Sequence, residues 1–86
     1  MRHELKTEHR WFANVLYGEK TAELRRDDRG FALDDVLHLI EIDDGRPTGR
    51  TLDKRVTHIV RADDGPWLAP GYCMLSLGPV SVADNT

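Results

Sequence analysis

Apolar and polar positions alternate along the chain in a way that divides it into one helix and about five strands. His3 to Lys6 reads as a short first strand. Trp11, Phe12, Val15 and Leu16 then recur at i, i+1, i+4 and i+5, which places them on one face of a helix. Thr7 stands where that helix needs a cap, and Glu8 follows in the first turn, where a negative charge suits the dipole. Gly18 supplies the left-handed residue that ends the helix. Thr21 to Arg25 has the period of a strand, with Ala22 and Leu24 on one face and Thr21, Glu23 and Arg25 on the other. Arg26 to Gly30 is a charged turn. Val36 to Ile42, with the sequence VLHLIEI, is a strongly apolar strand. Asp43 to Gly49 is dense in turn formers and predicts a loop. Leu52 to Val60 contains a further strand, Asp63 to Gly71 is a loop with two prolines, and Tyr72 to Leu77 is the last strand. Mostly β with a single early helix predicts an α+β domain, a small β-barrel with the helix flanking one end. Residues 1–78 are expected to form this one domain and residues 79–86 a loose tail.

Size changes this picture little. The chain has 86 residues, enough for one domain. A domain of that size buries only about 60% of the surface its unfolded chain exposes, so its stability margin is thin. The segment Met1 to Lys6 has no apolar core of a secretory signal, and no run of residues approaches the roughly 18 apolar positions of a membrane helix. The lone cysteine, Cys73, lies in an apolar run and reads as a buried thiol. A reducing cytoplasm is the expected setting.

Charge matters more. The net charge of −3 excludes a generic phosphate-coating protein. The acidic excess lies after residue 30, while the first thirty residues are slightly basic. Nucleic-acid contact would therefore be local and come from the first third of the chain. A single nucleotide or nucleoside fits this balance as well as a long duplex does.

The densest polar constellation is Gly18-Glu-Lys-Thr-Ala-Glu-Leu-Arg-Arg. Lys20 sits at the turn before the strand, and Thr21, Glu23 and Arg25 share a face. A carboxylate flanked by cations holds its charge when partly desolvated and accepts from a donor edge. The cations can hold a phosphate or a carbonyl oxygen. The same pattern also suits a solvated strand face with surface ion pairs. His3, Lys6 and Tyr72 lie on segments that border the expected cleft. Tyr72 can stack on a base, and an exposed Trp67 would do the same. Trp67 can equally close the barrel mouth. His38, on the face of Val36 and Ile40, and His58, on the face of Val56 and Val60, read as half-buried structural histidines. The histidines have no metal-ligand spacing, and the acidic pairs Asp27-Asp28, Asp43-Asp44 and Asp63-Asp64 read as solvated turn residues. Neither a metal nor a cofactor is expected.

The segment Gly18-x-Lys20-x-x-Glu23-x-Arg25 resembles the G-x-K-x-x-E-x-R signature of ASCH domains in the PUA-like superfamily. Further segments resemble the small phage and bacterial subfamily DUF3850. They are His3-x-Leu5-Lys6, Asp28-Arg29-x-Phe31, Asp35-Val-Leu-x-Leu-x-Glu41, Thr48-Gly49-Arg50, Val56-Thr57-x-Ile59 and Pro70-Gly71-Tyr72. They run in the family's order over nearly the whole chain. Asp34 stands where the family usually has glycine. The resemblance implies a barrel with a cleft beside the helix, into which Lys20, Glu23 and Arg25 face, and an RNA- or nucleotide-binding role for a monomer. Some ASCH proteins are amidohydrolases acting on a modified nucleoside, or ribonucleases, so a second expectation is an enzyme working through Lys20 and Glu23. The amidohydrolases carry threonine at the position of Glu23, which sets binding ahead of turnover. A third expectation is a phage accessory protein that contacts a host protein.

Overall fold

The computed structural model describes residues 1–80. Five strands and one helix follow one another in the predicted order: β1 (Arg2–Glu8), α1 (His9–Leu16), β2 (Ala22–Arg26), β3 (Val36–Asp43), β4 (Arg46–Arg61) and β5 (Tyr72–Gly78), with a single turn of 3-10 helix at Ala62–Asp64 before β5. All five strands join one sheet in the order β1-β3-β4-β5-β2. β1 is parallel to β3, with Leu5 opposite Leu39 and Thr7 opposite Glu41. The other pairings are antiparallel.

The sheet curls into a half-barrel. Its inward face and one side of α1 form the core, with Leu5, Phe12, Leu37, Leu39, Val56 and Leu75 almost wholly buried. Cys73 belongs to this core, and burial raises its thiol pKa. β4 makes the curl possible. Its first half pairs with β3 and its second half with β5. The register shift at Val56/His58 lies near where its pairing passes from β3 to β5, and a second, at Ile40/Ile42, lies within the β3 ladder; such bulges bend a strand.

The curl brings the edge strands β1 and β2 face to face without pairing them. Arginine side chains cross the seam instead. Arg25 Nη2 donates to the Lys6 carbonyl at 2.9 Å, and Arg29 Nη1 donates to the Glu4 carbonyl at 2.7 Å.

Several local expectations change. Asp43 to Gly49 is not a loop. Asp44 and Gly45, with φ of 50° and 76°, make a two-residue hairpin turn, and β4 begins at Arg46. An Asp-Gly pair is the combination that tolerates two successive left-handed residues. Thr7 does not cap the helix. β1 continues through it to Glu8 by pairing with Glu41 and Ile42, and Glu8 takes the cap position without a side-chain cap bond. Only Phe12 and Val15 of the helical face are buried. Trp11 and Leu16 are 44% and 39% exposed. His58 is exposed because the bulge beside it breaks the alternation from Val56. His38 is half-buried and hydrogen-bonded to Asp53 at 2.6 Å. No helix is long and apolar enough to cross a membrane among the described residues. Most of the expected tail, residues 81–86, lies outside the described residues.

Candidate functional site

The end of α1 fixes one rim of a cleft. Gly18, with φ of 81°, reverses the chain, and the Asn14 carbonyl accepts from the amides of both Glu19 and Lys20. That pins Lys20 two residues before β2. Its ammonium donates to the Ala22 carbonyl and to Glu23 Oε1. Arg25 Nε donates to Glu23 Oε2 at 2.9 Å. The Glu23 carboxylate is therefore held at both oxygens, one cation to each, and Glu23 is only 4% exposed. Its burial is tolerable because both oxygens are charge-paired. Arg25 continues the network across the seam to Thr7 Oγ1 at 3.3 Å and to the Lys6 carbonyl.

These groups form one side of a cleft of about 580 Å³ on the seam. Lys6, Thr7 and Glu8 of β1 face Ala22 to Arg25 of β2, and Trp11 of α1 and Met74 of β5 complete the walls. This volume is in the range of small-molecule sites. Apolar surface forms most of the wall, with Trp11, Leu24 and Met74 among its apolar residues, and Lys6, Glu8, Lys20, Glu23 and Arg25 supply the charges.

The residues singled out by sequence separate clearly. Lys20, Glu23, Arg25 and Lys6 come together at the cleft. Thr21 is exposed and does not line it. His3 does not border it either. Its side chain is turned into the core, where Nε2 lies 2.8 Å from Asp35 Oδ2 and the ring meets Phe31 edge-on. Burial by itself would raise the Asp35 pKa, but hydrogen bonds from His3, the N-terminal ammonium and the Ala32 amide outweigh it and hold the value at about 2. Tyr72 lies opposite Arg26 at the far end of β2, and the guanidinium is 5.5 Å from the ring centroid. Trp67 does not close the barrel mouth. It is 73% exposed, with its ring over Gly65, where a Cβ would overlap it.

Trp11 is the cleft residue that pattern reading misassigned to the core. The i, i+3 pair Phe12 and Val15 already fills the core-facing stripe, and that spacing was the available signal. Thr7 was missed because its role depends on Arg25, eighteen residues away.

A third buried carboxylate, Glu41, lies on β3 opposite Thr7. Glu41 accepts two bonds from Arg50, at 2.9 and 2.7 Å, and one from the Thr48 hydroxyl. These bonds bring its pKa down to about 2. Arg50 lies 5.2 Å from the Phe12 ring centroid, and its pKa is raised by Glu41. The pair ties the β3–β4 hairpin to the helix. Elsewhere Asp27 takes both oxygens to Arg61 Nη1 at 2.6 Å. Among the described residues no buried side-chain nitrogen or oxygen lacks a partner.

Fold and site together define a β half-barrel with a charged and apolar cleft on its open seam. The family model described as "Domain of unknown function (DUF3850)" matches residues 2–77, and the chain belongs to that family. It is also similar to an "Uncharacterized 12.9 kDa protein in GpA 3'region" of Escherichia phage P2, with 39% identity over 66 residues. That alignment covers 77% of this chain and 59% of the phage protein, so the chain spans about three-fifths of its relative's length.

Proposed function

We propose that the seam cleft binds a nucleobase, and that the protein is an RNA- or nucleotide-binding module of the ASCH and PUA-like kind acting in a reducing cytoplasm. The observation that carries this reading is the buried Glu23 held between Lys20 and Arg25 beside a half-exposed indole. A flat heteroaromatic ring suits the Trp11, Leu24 and Met74 walls, because every base offers a π-face for stacking. The hydrogen-bonding edge of the base then meets the charged side. The carboxylate oxygens each keep a lone pair for an exocyclic amine or ring N–H. Lys20 and Arg25 supply donors for a base carbonyl, and Lys6 supplies a cation for phosphate. The signature residues Gly18, Lys20, Glu23 and Arg25 support the same reading.

Thermal shift against nucleosides, nucleotides and short RNAs tests it. A ligand at 100 times its Kd adds about 2.7 kcal/mol, which in a domain of this size raises Tm by on the order of 10 °C. The rise is expected with wild type and is lost in Lys20→Ala. Glu23→Ala weakens a base-bearing ligand more than inorganic phosphate, and equal losses for both would remove the base-reading role. Acylated nucleosides added to the same panel test turnover. Release of the parent base by wild type, but not by Lys20→Ala, would make the module an enzyme.

A further inference from the structure

β2 is inside out. Its charged residues Glu23 and Arg25 face the half-barrel interior, beside Leu75 and Cys73 of β5. Its apolar residues Ala22 and Leu24 face outward, and Leu24 is 63% exposed. β5 alternates conventionally, with Cys73 and Leu75 buried. The outer face of the β2–β5 pair therefore presents Leu24 opposite Met74 and, one step on, Arg26 opposite Tyr72. Leu24 and Met74 also line the cleft, so the outer stripe continues from it without a break.

We infer that the cleft is the first position of a single-stranded RNA track, which runs along this outer face to a second stacking position made by Tyr72 and Arg26. The inference rests on the nucleobase reading of the cleft. Three observations favour a nucleic-acid strand as the occupant. Tyr72, at 37% exposure, offers a ring to a base, and Arg26 lies against that ring as a cation available to the adjoining phosphate. Asp27, the acidic neighbour of Arg26, is neutralised by Arg61. From Ala22 to Arg26 the strand runs about 13 Å at roughly 3.3 Å per residue, a span for a few nucleotides. An apolar floor with an aromatic–arginine pair at its end is the combination that single-strand binders use. A purely structural role for Leu24 and Met74, as a cross-strand pair that steadies the hairpin, leaves the Arg26–Tyr72 pair and its continuity with the cleft without a purpose.

The test measures binding of the four 5′-mononucleotides and the four single-stranded RNA homotetranucleotides by titration calorimetry. Wild type is expected to bind its preferred tetranucleotide at least about tenfold tighter than the matching mononucleotide. Tyr72→Ala should weaken the tetranucleotide by roughly 5- to 100-fold, the usual cost of one lost stacking position. It should leave the mononucleotide unchanged. Tyr72→Phe should restore most of the loss. Arg26→Ala, at an exposed position, should lower the salt slope of tetranucleotide binding by about 0.7, one phosphate contact on a single strand. Arg26→Ala, which like Tyr72 does not line the cleft, is the further variant if Tyr72→Ala does not fold, and should weaken the tetranucleotide alone. Mononucleotide binding with no gain for tetranucleotides would overturn the track and leave the cleft reading standing. Equal losses for both ligands in Tyr72→Ala and Arg26→Ala would overturn it as well. If neither ligand class binds, both readings fall, and the stripe becomes a surface for a protein partner.

Discussion

Glu23 and Glu41 are both 4% exposed, both face the interior of the half-barrel, and both pair with an arginine. They differ in what surrounds the pair. Glu41 is closed off by Arg50 and Thr48 from its own hairpin, and Arg50 packs over Phe12. Glu23 is held by Arg25 of its own edge strand and by Lys20 of the turn before it, and those cations line an open cleft. One ion pair joins elements of the fold to each other. The other keeps a buried charge next to an open cleft. Burial and pairing alone therefore do not mark a binding residue. The walls beside the pair do.

The largest expected effect comes from removing the structural member of the comparison. Glu41→Ala leaves Arg50 without its anion and frees the hairpin, so it should give the steepest fall in Tm of any variant here, on the order of 10 °C. Nucleotide affinity, measured below the new Tm, should change less than about twofold, because Glu41 does not line the cleft. Glu23→Gln should show the reverse, with affinity falling about tenfold or more and Tm moving by only a few degrees. Equal affinity losses in the two variants would dissolve the distinction between them.

Acid sharpens the contrast next. The carboxyls of Glu41 and Asp35 are held near 2, against ordinary values of 4.5 and 3.8. Between about pH 4.5 and 2 the unfolded chain binds more protons than the folded one, so stability falls as pH falls through that window. Above it, the contribution of both groups is fully present. Glu41→Gln should flatten part of this acid limb in a pH series of thermal melts. An acid limb as steep as wild type would remove Glu41 from the account. The smallest effect belongs to Thr48→Val, which removes one of Glu41's three bonds and should lower Tm by a few degrees, with binding untouched.

Much of this arrangement was legible in the sequence. The helix stop at Gly18 and the shared face of Glu23 and Arg25 follow from local geometry, which period and φ preferences report directly. Asp34, where relatives were expected to carry glycine, has φ of 71°, so the substitution falls at a turn that favours glycine and not at the cleft. Arg55 compensates by bonding its carboxylate at 2.7 Å. What was not legible depends on long-range pairing. Local sequence makes Thr7 a cap because nothing in it reveals that β1 is held by β3, and it puts His3 at the cleft because its partner Asp35 is thirty-two residues away. His58 was misread because a bulge is a property of two strands. Trp11 and Phe12 are adjacent, and only the i, i+3 spacing of Phe12 with Val15 separates the inward residue from the outward one.

The arginine-crossed seam has a consequence for how the molecule meets its own copies. A free strand edge offers a row of carbonyls on which another chain can build. On β1 the carbonyls of Glu4 and Lys6 are already occupied by Arg29 and Arg25. Two charged side chains thus do for this half-barrel what closure does for a full one. They deny the edge to an incoming strand, and they leave the gap between β1 and β2 wide enough to hold a cleft. A tighter barrel would be safer from templated aggregation and would have nowhere to put a ligand.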